Sequence, residues 1–224
     1  MPYSPCYLCH APTTVHSDFC LPCLAAMPWN SNSCHRCALP MAESYSGICR
    51  LCSATPPAFD HCHASFTYAS PINHMLNRYK QHSDEVTGAI LIRLVIQSLP
   101  VDTIKAFADA LLVPVPMHSQ DLRQRGFNQS QQLARALAQS YKLSLDHNLK
   151  VMRRHLAQKH LSAHQRKQNM AGVFRYEGKA PKHCVIIDDV MTTGTTANVI
   201  AEELKQQGSD QISVVCLART PAPC

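Results

Sequence analysis

The sequence predicts an α/β protein: a parallel sheet with helices on both faces, preceded by a small cysteine-rich module. Two observations carry the prediction. Eight cysteines form four C-x-x-C pairs before residue 53, and from His63 onward short apolar runs alternate with stretches of helical spacing. The length, 224 residues, suits a small module followed by a medium domain. We divide the chain into residues 1–54 and 55–224.

The cysteine pairs come first: Cys6/Cys9, Cys20/Cys23, Cys34/Cys37 and Cys49/Cys52. Two residues between thiolates let one tight turn present both sulfurs to one metal, at about 2.3 Å for zinc. Two such turns complete a tetrahedral site of four thiolates, so eight cysteines fit two Zn²⁺ ions. Short gaps favour sequential sites: Cys6, Cys9, Cys20 and Cys23 for one ion, then Cys34, Cys37, Cys49 and Cys52 for the other. A cross-braced pairing uses the same ligands, so spacing leaves both arrangements open. With every position taken by thiolate, no place remains for a reacting water, and the ions are structural. So few large apolar side chains lie in 1–54 that metal binding would supply the folding energy.

Disulfides are the competing use of cysteine, and they persist only in oxidising compartments. No basic start followed by an apolar core marks a secretory signal. No run of eighteen apolar residues could span a membrane. The expected compartment is therefore the cytoplasm. The formal charge of +6 lies entirely beyond the module, where Arg36 and Arg50 are cancelled by Asp18 and Glu43. A basic excess of this kind serves phosphate-rich ligands or nucleic acid.

Ser53-Ala54-Thr55-Pro56-Pro57 reads as a linker, because two prolines preclude helix. His63–Tyr68 alternates as a strand. Helical spacing follows over Pro71–Lys80 and Asp84–Leu99, with Pro71 opening the first helix and Pro100 ending the second. Leu111–Val115 is a short strand halted by prolines, and Ser130–Gln139 a helix with Leu133 and Leu137 on one face. His183–Ile187 is a buried strand, Thr196–Gln207 a helix ending at Gly208, and Ile212–Leu217 the last strand. Short apolar strands alternating with helices imply a parallel sheet.

The sharpest signal is Val185-Ile186-Ile187-Asp188-Asp189-Val190-Met191-Thr192-Thr193-Gly194-Thr195-Thr196. A buried strand ends in two carboxylates, which an apolar interior does not tolerate without partners. They project from the carboxyl end of the strand, where open α/β sheets bind ligands. A hydroxyl-rich turn follows, with Gly194 allowing close backbone approach, and then a helix. Helix N-terminal amides beside threonine hydroxyls form an anion site. A sugar phosphate reconciles the two features, with phosphate in the Thr192–Thr196 cradle and ribose hydroxyls donating to Asp188 and Asp189. The segment resembles the phosphoribosyl pyrophosphate (PRPP) motif of type I phosphoribosyltransferases.

Two further stretches narrow the resemblance. Val113-Pro114-Val115-Pro116 precedes Arg123-x-Arg125-Gly126-Phe127-Asn128-Gln129, and Arg153, Gln158, Leu161, Arg166, Asn169 and Phe174 follow. Together with the double cysteine module they resemble the ComF family of competence and DNA-utilisation proteins over essentially the whole chain. The resemblance implies a type I phosphoribosyltransferase-like sheet behind a double zinc ribbon. It implies that Val113–Met117 leads into a pyrophosphate-facing loop near Arg123, Arg125 and Asn128. It also implies a phosphate contact for Lys80 and a mobile covering loop over 153–170. His155-Leu156-Ala157 departs from the threonine-containing turn of many relatives.

Beside that stands a reading from charge. Residues 147–176 contain Lys150, Arg153, Arg154, Lys159, Arg166, Lys167 and Arg175, and no Asp or Glu. Such a run tracks a nucleic-acid backbone or, equally, neutralises pyrophosphate; aromatic residues for base stacking are sparse nearby. We assign Arg153, Arg154, Lys159, Arg166 and Lys167 to DNA contact. The expected function is that of a cytoplasmic DNA-uptake or natural-competence protein. It binds PRPP, or a related phosphoribosyl compound, with Mg²⁺. Single-stranded DNA and proteins of the uptake machinery are its expected partners. The alternative is a phosphoribosyltransferase of nucleotide salvage or modification with an unidentified acceptor. In it, Asp188 and Asp189 would stabilise the charge that develops as pyrophosphate leaves. A third reading is a PRPP sensor without chemistry, whose zinc module docks a partner.

Overall fold

The computed structural model describes residues 4–14, 17–42, 47–154 and 172–222. In the module, β1 (Ser4–Pro5) and β2 (Pro12–Thr13) pair antiparallel. The short helices α1 (Leu21–Ala25) and α2 (Arg50–Ala54) start directly after Cys20 and Cys49. Helix α2 takes in Ser53 and Ala54, so the proline-bearing connection begins at Thr55.

The larger part runs β3 (His61–Thr67), α3 (Ile72–His82), α4 (Glu85–Ser98), α5 (Val101–Ala106) and β4 (Leu111–Pro114). Next come α6 (Ser119–Arg125), α7 (Gln129–Tyr141), β5 (Ser144–Leu145), β6 (Leu149–Val151) and β7 (Phe174–Tyr176). β8 (His183–Met191), α8 (Thr195–Gln206) and β9 (Gln211–Arg219) complete the order. Five strands form one sheet in the order β3-β9-β8-β4-β5, and every pairing is parallel. The β6–β7 hairpin stands apart and is antiparallel.

Burial on both faces explains why the central strand is a continuous apolar run. Cys184, Val185, Ile186 and Ile187 are all inaccessible to solvent. One face packs Phe66, Leu76, Leu91, Leu133, Val185 and Ile187 beneath α3, α4 and α7. The other packs Ile186, Ile212 and Val214 under Ile200 and Leu204 of α8.

The module is built into these same cores. Cys6, Phe19 and Met27 join the first face, and Cys34, Cys37, Leu39, Cys49 and Cys52 join the second. Residues 28–30 add to the sheet edge at β3: the Asn30 N–H bonds the Ser65 carbonyl at 3.0 Å, and the Trp29 ring stacks on Phe66 at 4.6 Å. Arg93 of α4 pairs with Asp18 at 2.5 Å. Among the described residues, no helix is long and apolar enough to cross a membrane.

Helix α3, which carries Lys80, is held by close packing at Gly88 of α4. A methyl group there would press into the Tyr79 ring. Gly88→Ala is expected to lower unfolding stability by about 1–3 kcal/mol despite the better helix propensity of alanine, measured by urea titration. An unchanged or raised midpoint would show that the ring moves aside freely.

Candidate phosphoribosyl site and zinc centres

The eight cysteines gather as two groups of four, Cys6, Cys9, Cys20 and Cys23, and Cys34, Cys37, Cys49 and Cys52. Within each group all the sulfurs lie within 4.8 Å of one another. The arrangement is sequential, which removes the cross-braced alternative. The Cys9–Cys20 sulfurs stand 3.6 Å apart and the Cys37–Cys49 sulfurs 3.7 Å. Bonds of about 2.3 Å from one tetrahedral zinc place sulfurs roughly 3.8 Å apart. The donor sets therefore fit zinc in size and in chemistry. The second group is wholly buried, whereas Cys9 of the first is exposed.

The second site grows from the end of β8. The strand continues through Asp188 and Asp189 to Met191, pairing with β9 throughout, so the carboxylates sit inside the strand instead of beyond its end. On its other side β4 stops. Pro114 lies opposite Ile187, the Val115 N–H reaches the Ile187 carbonyl at 2.9 Å, and Pro116 has no N–H to continue the ladder. Beyond that point one flank of β8 opens into a cavity of about 250 Å³. Asp188, Asp189, Lys80, Arg125, Ser130 and Thr196 all line it.

Electrostatics distinguish the two carboxylates. Lys80 Nζ pairs with Asp189 Oδ2 at 2.8 Å, which turns the lysine toward a carboxylate. Asp188 accepts from Ser130 Oγ at 3.1 Å and from the Asp189 N–H at 2.8 Å. Burial, and then the neighbouring Asp189 charge, push Asp188 up to about 7; its hydrogen bonds and Lys80 oppose that rise.

The threonine loop lies between this cavity and another. Gly194 caps α8 at φ 77°, a left-handed conformation that suits glycine, and no side chain caps the helix. The Thr195 N–H donates to Thr193 Oγ1 at 3.4 Å, and the amides that follow in the first turn are left to solvent or an anion. Thr196 faces the carboxylates, whereas Thr193, Gly194 and Thr195 line a second cavity of about 410 Å³. Leu51, Cys52, Thr55 and Pro56, from the zinc module and its connection, wall that cavity. Thr192 is exposed.

Other expected residues divide. Arg125 donates to Gln129 Oε1 at 3.0 Å at the cavity wall, while Arg123 is exposed and is absent from the cavity lining. Asn128 serves structure: its Oδ1 caps α7, and its Nδ2 bonds the Val115 carbonyl at 2.9 Å. Arg154 pairs at 2.5 Å with Asp121 of α6, which lines the cavity. Arg153 is exposed and has a partner. Lys159, Arg166 and Lys167 lie outside the described residues, as do Gln158, Leu161 and Asn169. Sequence reading passed over Ser130, His118 and Asp121. Ser130 directly follows the Asn128-Gln129 motif, which was the available signal.

A phosphoribosyl transferase domain model matches residues 123–223, and a double zinc ribbon domain model matches residues 1–55. The DNA utilization protein YhgH of Salmonella typhimurium is 33% identical over 221 residues, covering 96% of each chain. That of Escherichia coli K12 is 31% identical over 220 residues, again 96% of each. Competence protein F of Haemophilus influenzae is 26% identical over 193 residues, 83% of this chain and 84% of that one. With two four-cysteine clusters packed on a five-stranded parallel sheet, and relatives of this identity over nearly their whole length, the chain belongs to the ComF family of DNA-utilisation and competence proteins.

Proposed function

We propose that the protein binds phosphoribosyl pyrophosphate at the β8–α8 junction and works on single-stranded DNA during DNA utilisation. The observation that carries the reading is the paired Asp188–Asp189 on the opened flank of β8, followed by the threonine loop and the N-terminus of α8. Carboxylates accept from ribose hydroxyls, and the α8 amides with the Thr195 and Thr196 hydroxyls donate to phosphate oxygens. Arg125 supports the pyrophosphate end, since a guanidinium matches phosphate oxygens with forked donors. Lys80, held at Asp189, sets the charge balance of the pair.

Among the described residues the groups of three or more metal-binding side chains are the two cysteine clusters. Mg²⁺ would be held mainly by the pyrophosphate and ribose oxygens, with Asp188 and Asp189 the nearest carboxylates, and would supply charge neutralisation there. The DNA part of the reading rests on the β6–β7 hairpin as well as on the relatives' names. Lys150 stands opposite Arg175 on its exposed side, while Val151 and Phe174 line the cavity. Glu177 answers part of that charge, at 3.9 Å from Lys150, and the exposed basic face that remains suits a nucleic-acid backbone.

Calorimetry with PRPP and Mg²⁺, with and without a short single strand, tests the proposal. Asp188→Ala with Asp189→Ala should weaken PRPP binding about 100-fold or more, because hydrogen bonds to charged groups contribute roughly 1.5–3 kcal/mol each. Zinc content should stay at two. Retained affinity would refute the assignment. DNA affinity should fall steeply with salt, the slope growing by about 0.7 per phosphate neutralised. A flat salt response would remove DNA from the proposal, and release of pyrophosphate on adding a base would favour a transferase.

A further inference from the structure

Arg219, the last residue of β9, is only 5% exposed although it carries a full charge. All of its described hydrogen bonds go to main-chain carbonyls. Nε donates to Cys37 at 3.1 Å, and Nη1 to Met191 at 3.0 Å, to Thr220 at 3.1 Å and to Thr192. Cys37 belongs to the second cysteine cluster, while Met191 and Thr192 open the threonine loop. One guanidinium thus ties the threonine loop to Cys37, which lies 182 positions before Arg219 in the chain.

Neutral carbonyls orient a guanidinium but do not balance its charge, and an unbalanced buried charge is costly. Zinc held by four thiolates carries a net charge of about minus two. The second cluster, when filled, supplies a counter-charge beside the Cys37 carbonyl, in addition to Glu202, which lines the same cavity as Arg219. A second link runs parallel: the Ala58 N–H, just beyond the module, donates to Asn198 Oδ1 of α8 at 2.7 Å. Thr192 and Thr193 are exposed, and the loop's own side-chain bonds are local: the Thr193 and Thr195 hydroxyls meet at 2.8 Å and the Thr195 N–H donates to Thr193 Oγ1 at 3.4 Å.

We propose that Arg219 is a positioning residue that couples the second zinc site to the phosphate loop, so that the loop is ordered only when Cys34, Cys37, Cys49 and Cys52 hold their ion. The metal then belongs to the working parts of the PRPP site as well as to the fold. The ligand side of this inference rests on the function proposed above; the coupling itself does not. Lysine and glutamine separate the two roles of the side chain. Lysine keeps the charge and loses the planar fork, while glutamine loses the charge.

The test uses the full-length, zinc-loaded protein with Arg219→Lys and Arg219→Gln. Amide hydrogen exchange is followed in peptides covering 34–52 and 188–197, alongside zinc release to a chelator and PRPP–Mg²⁺ calorimetry. In Arg219→Gln, exchange should rise at least ten-fold in both segments, and one zinc of two should leave at least ten-fold faster. In Arg219→Lys both zincs should stay, while loop exchange rises and PRPP affinity falls ten-fold or more. Loop exchange unchanged in both variants would overturn the coupling. So would a loop that loosens while 34–52 and its zinc are unaffected in Arg219→Gln. Should a variant fail to fold, stripping the second-cluster zinc from the unaltered protein, its loss identified by faster exchange in 34–52, decides the point, because the loop must loosen with it. If the unaltered protein binds no PRPP, the proposed ligand is wrong, and the exchange arms still decide the coupling.

Discussion

Replacing Cys49 by serine is expected to lower zinc from two ions per chain to one and the melting temperature by more than about 10 °C. The size follows from burial. All four cysteines of the second group are buried, and they share a core with Ile186, Ile200, Ile212 and Val214 of the sheet and α8. Structural zinc sites contribute roughly 10 kcal/mol or more of apparent binding energy, much of it folding energy. Each 1 kcal/mol lost shifts melting by about 2–4 °C in a chain of this size. The equivalent change at Cys9, which is exposed, should also remove one zinc but lower melting less. Calorimetric melting with metal analysis checks both. Equal effects at the two sites would mean that the shared core contributes little, and that each cluster stabilises only its own knuckle.

Asp188→Asn is expected to stabilise the protein above neutral pH and to leave it unchanged near pH 4. Asp188 has its folded-state pKa raised from 3.8 to about 7, chiefly by burial and then by Asp189. Below 3.8 the carboxyl is protonated in folded and unfolded chains alike, and no penalty arises. Between 3.8 and about 7 the unfolded chain releases the proton while the folded chain keeps it, so stability falls as pH rises. Above 7 the loss is complete. A three-unit shift corresponds to roughly 4 kcal/mol, and partial access to solvent reduces that to about 2 kcal/mol. Urea midpoints for both proteins at pH 4, 6 and 8 should diverge progressively. A constant difference across that range would show that Asp188 titrates normally. The same substitution should weaken PRPP binding, because a neutral amide accepts more weakly than a carboxylate. The site would then be one where charge needed for a ligand is kept at the expense of stability.

The alternation of apolar strands and helical stretches was readable because each strand buries both faces, which leaves a run such as Val185-Ile186-Ile187 without polar interruption. The cysteine pairs were readable because metal geometry restricts their spacing. The Asp-Asp-threonine-glycine segment was readable because few other structures place two acids and a hydroxyl cluster between a buried strand and a helix. Elements set by distant contacts were not. The short helix α6 and the β6–β7 hairpin carry too few residues for periodicity to register. Spacing along the chain does not show that Lys80, expected at a phosphate, also meets Asp189 in space. Nor does it show that Arg154, expected at DNA, pairs with Asp121, an acid 33 positions earlier.

By itself the sequence determined the metal ligands, the parallel α/β class and the carboxylate–threonine loop, since each rests on neighbours along the chain. Only the tertiary structure decided which cysteine pairs share an ion. It also decided how β4 stops short to open a cavity beside Asp188, and how the zinc module enters the core of the larger domain. Those outcomes depend on groups far apart in sequence, such as Cys37 and Arg219, whose meeting is set by how the sheet and the module pack.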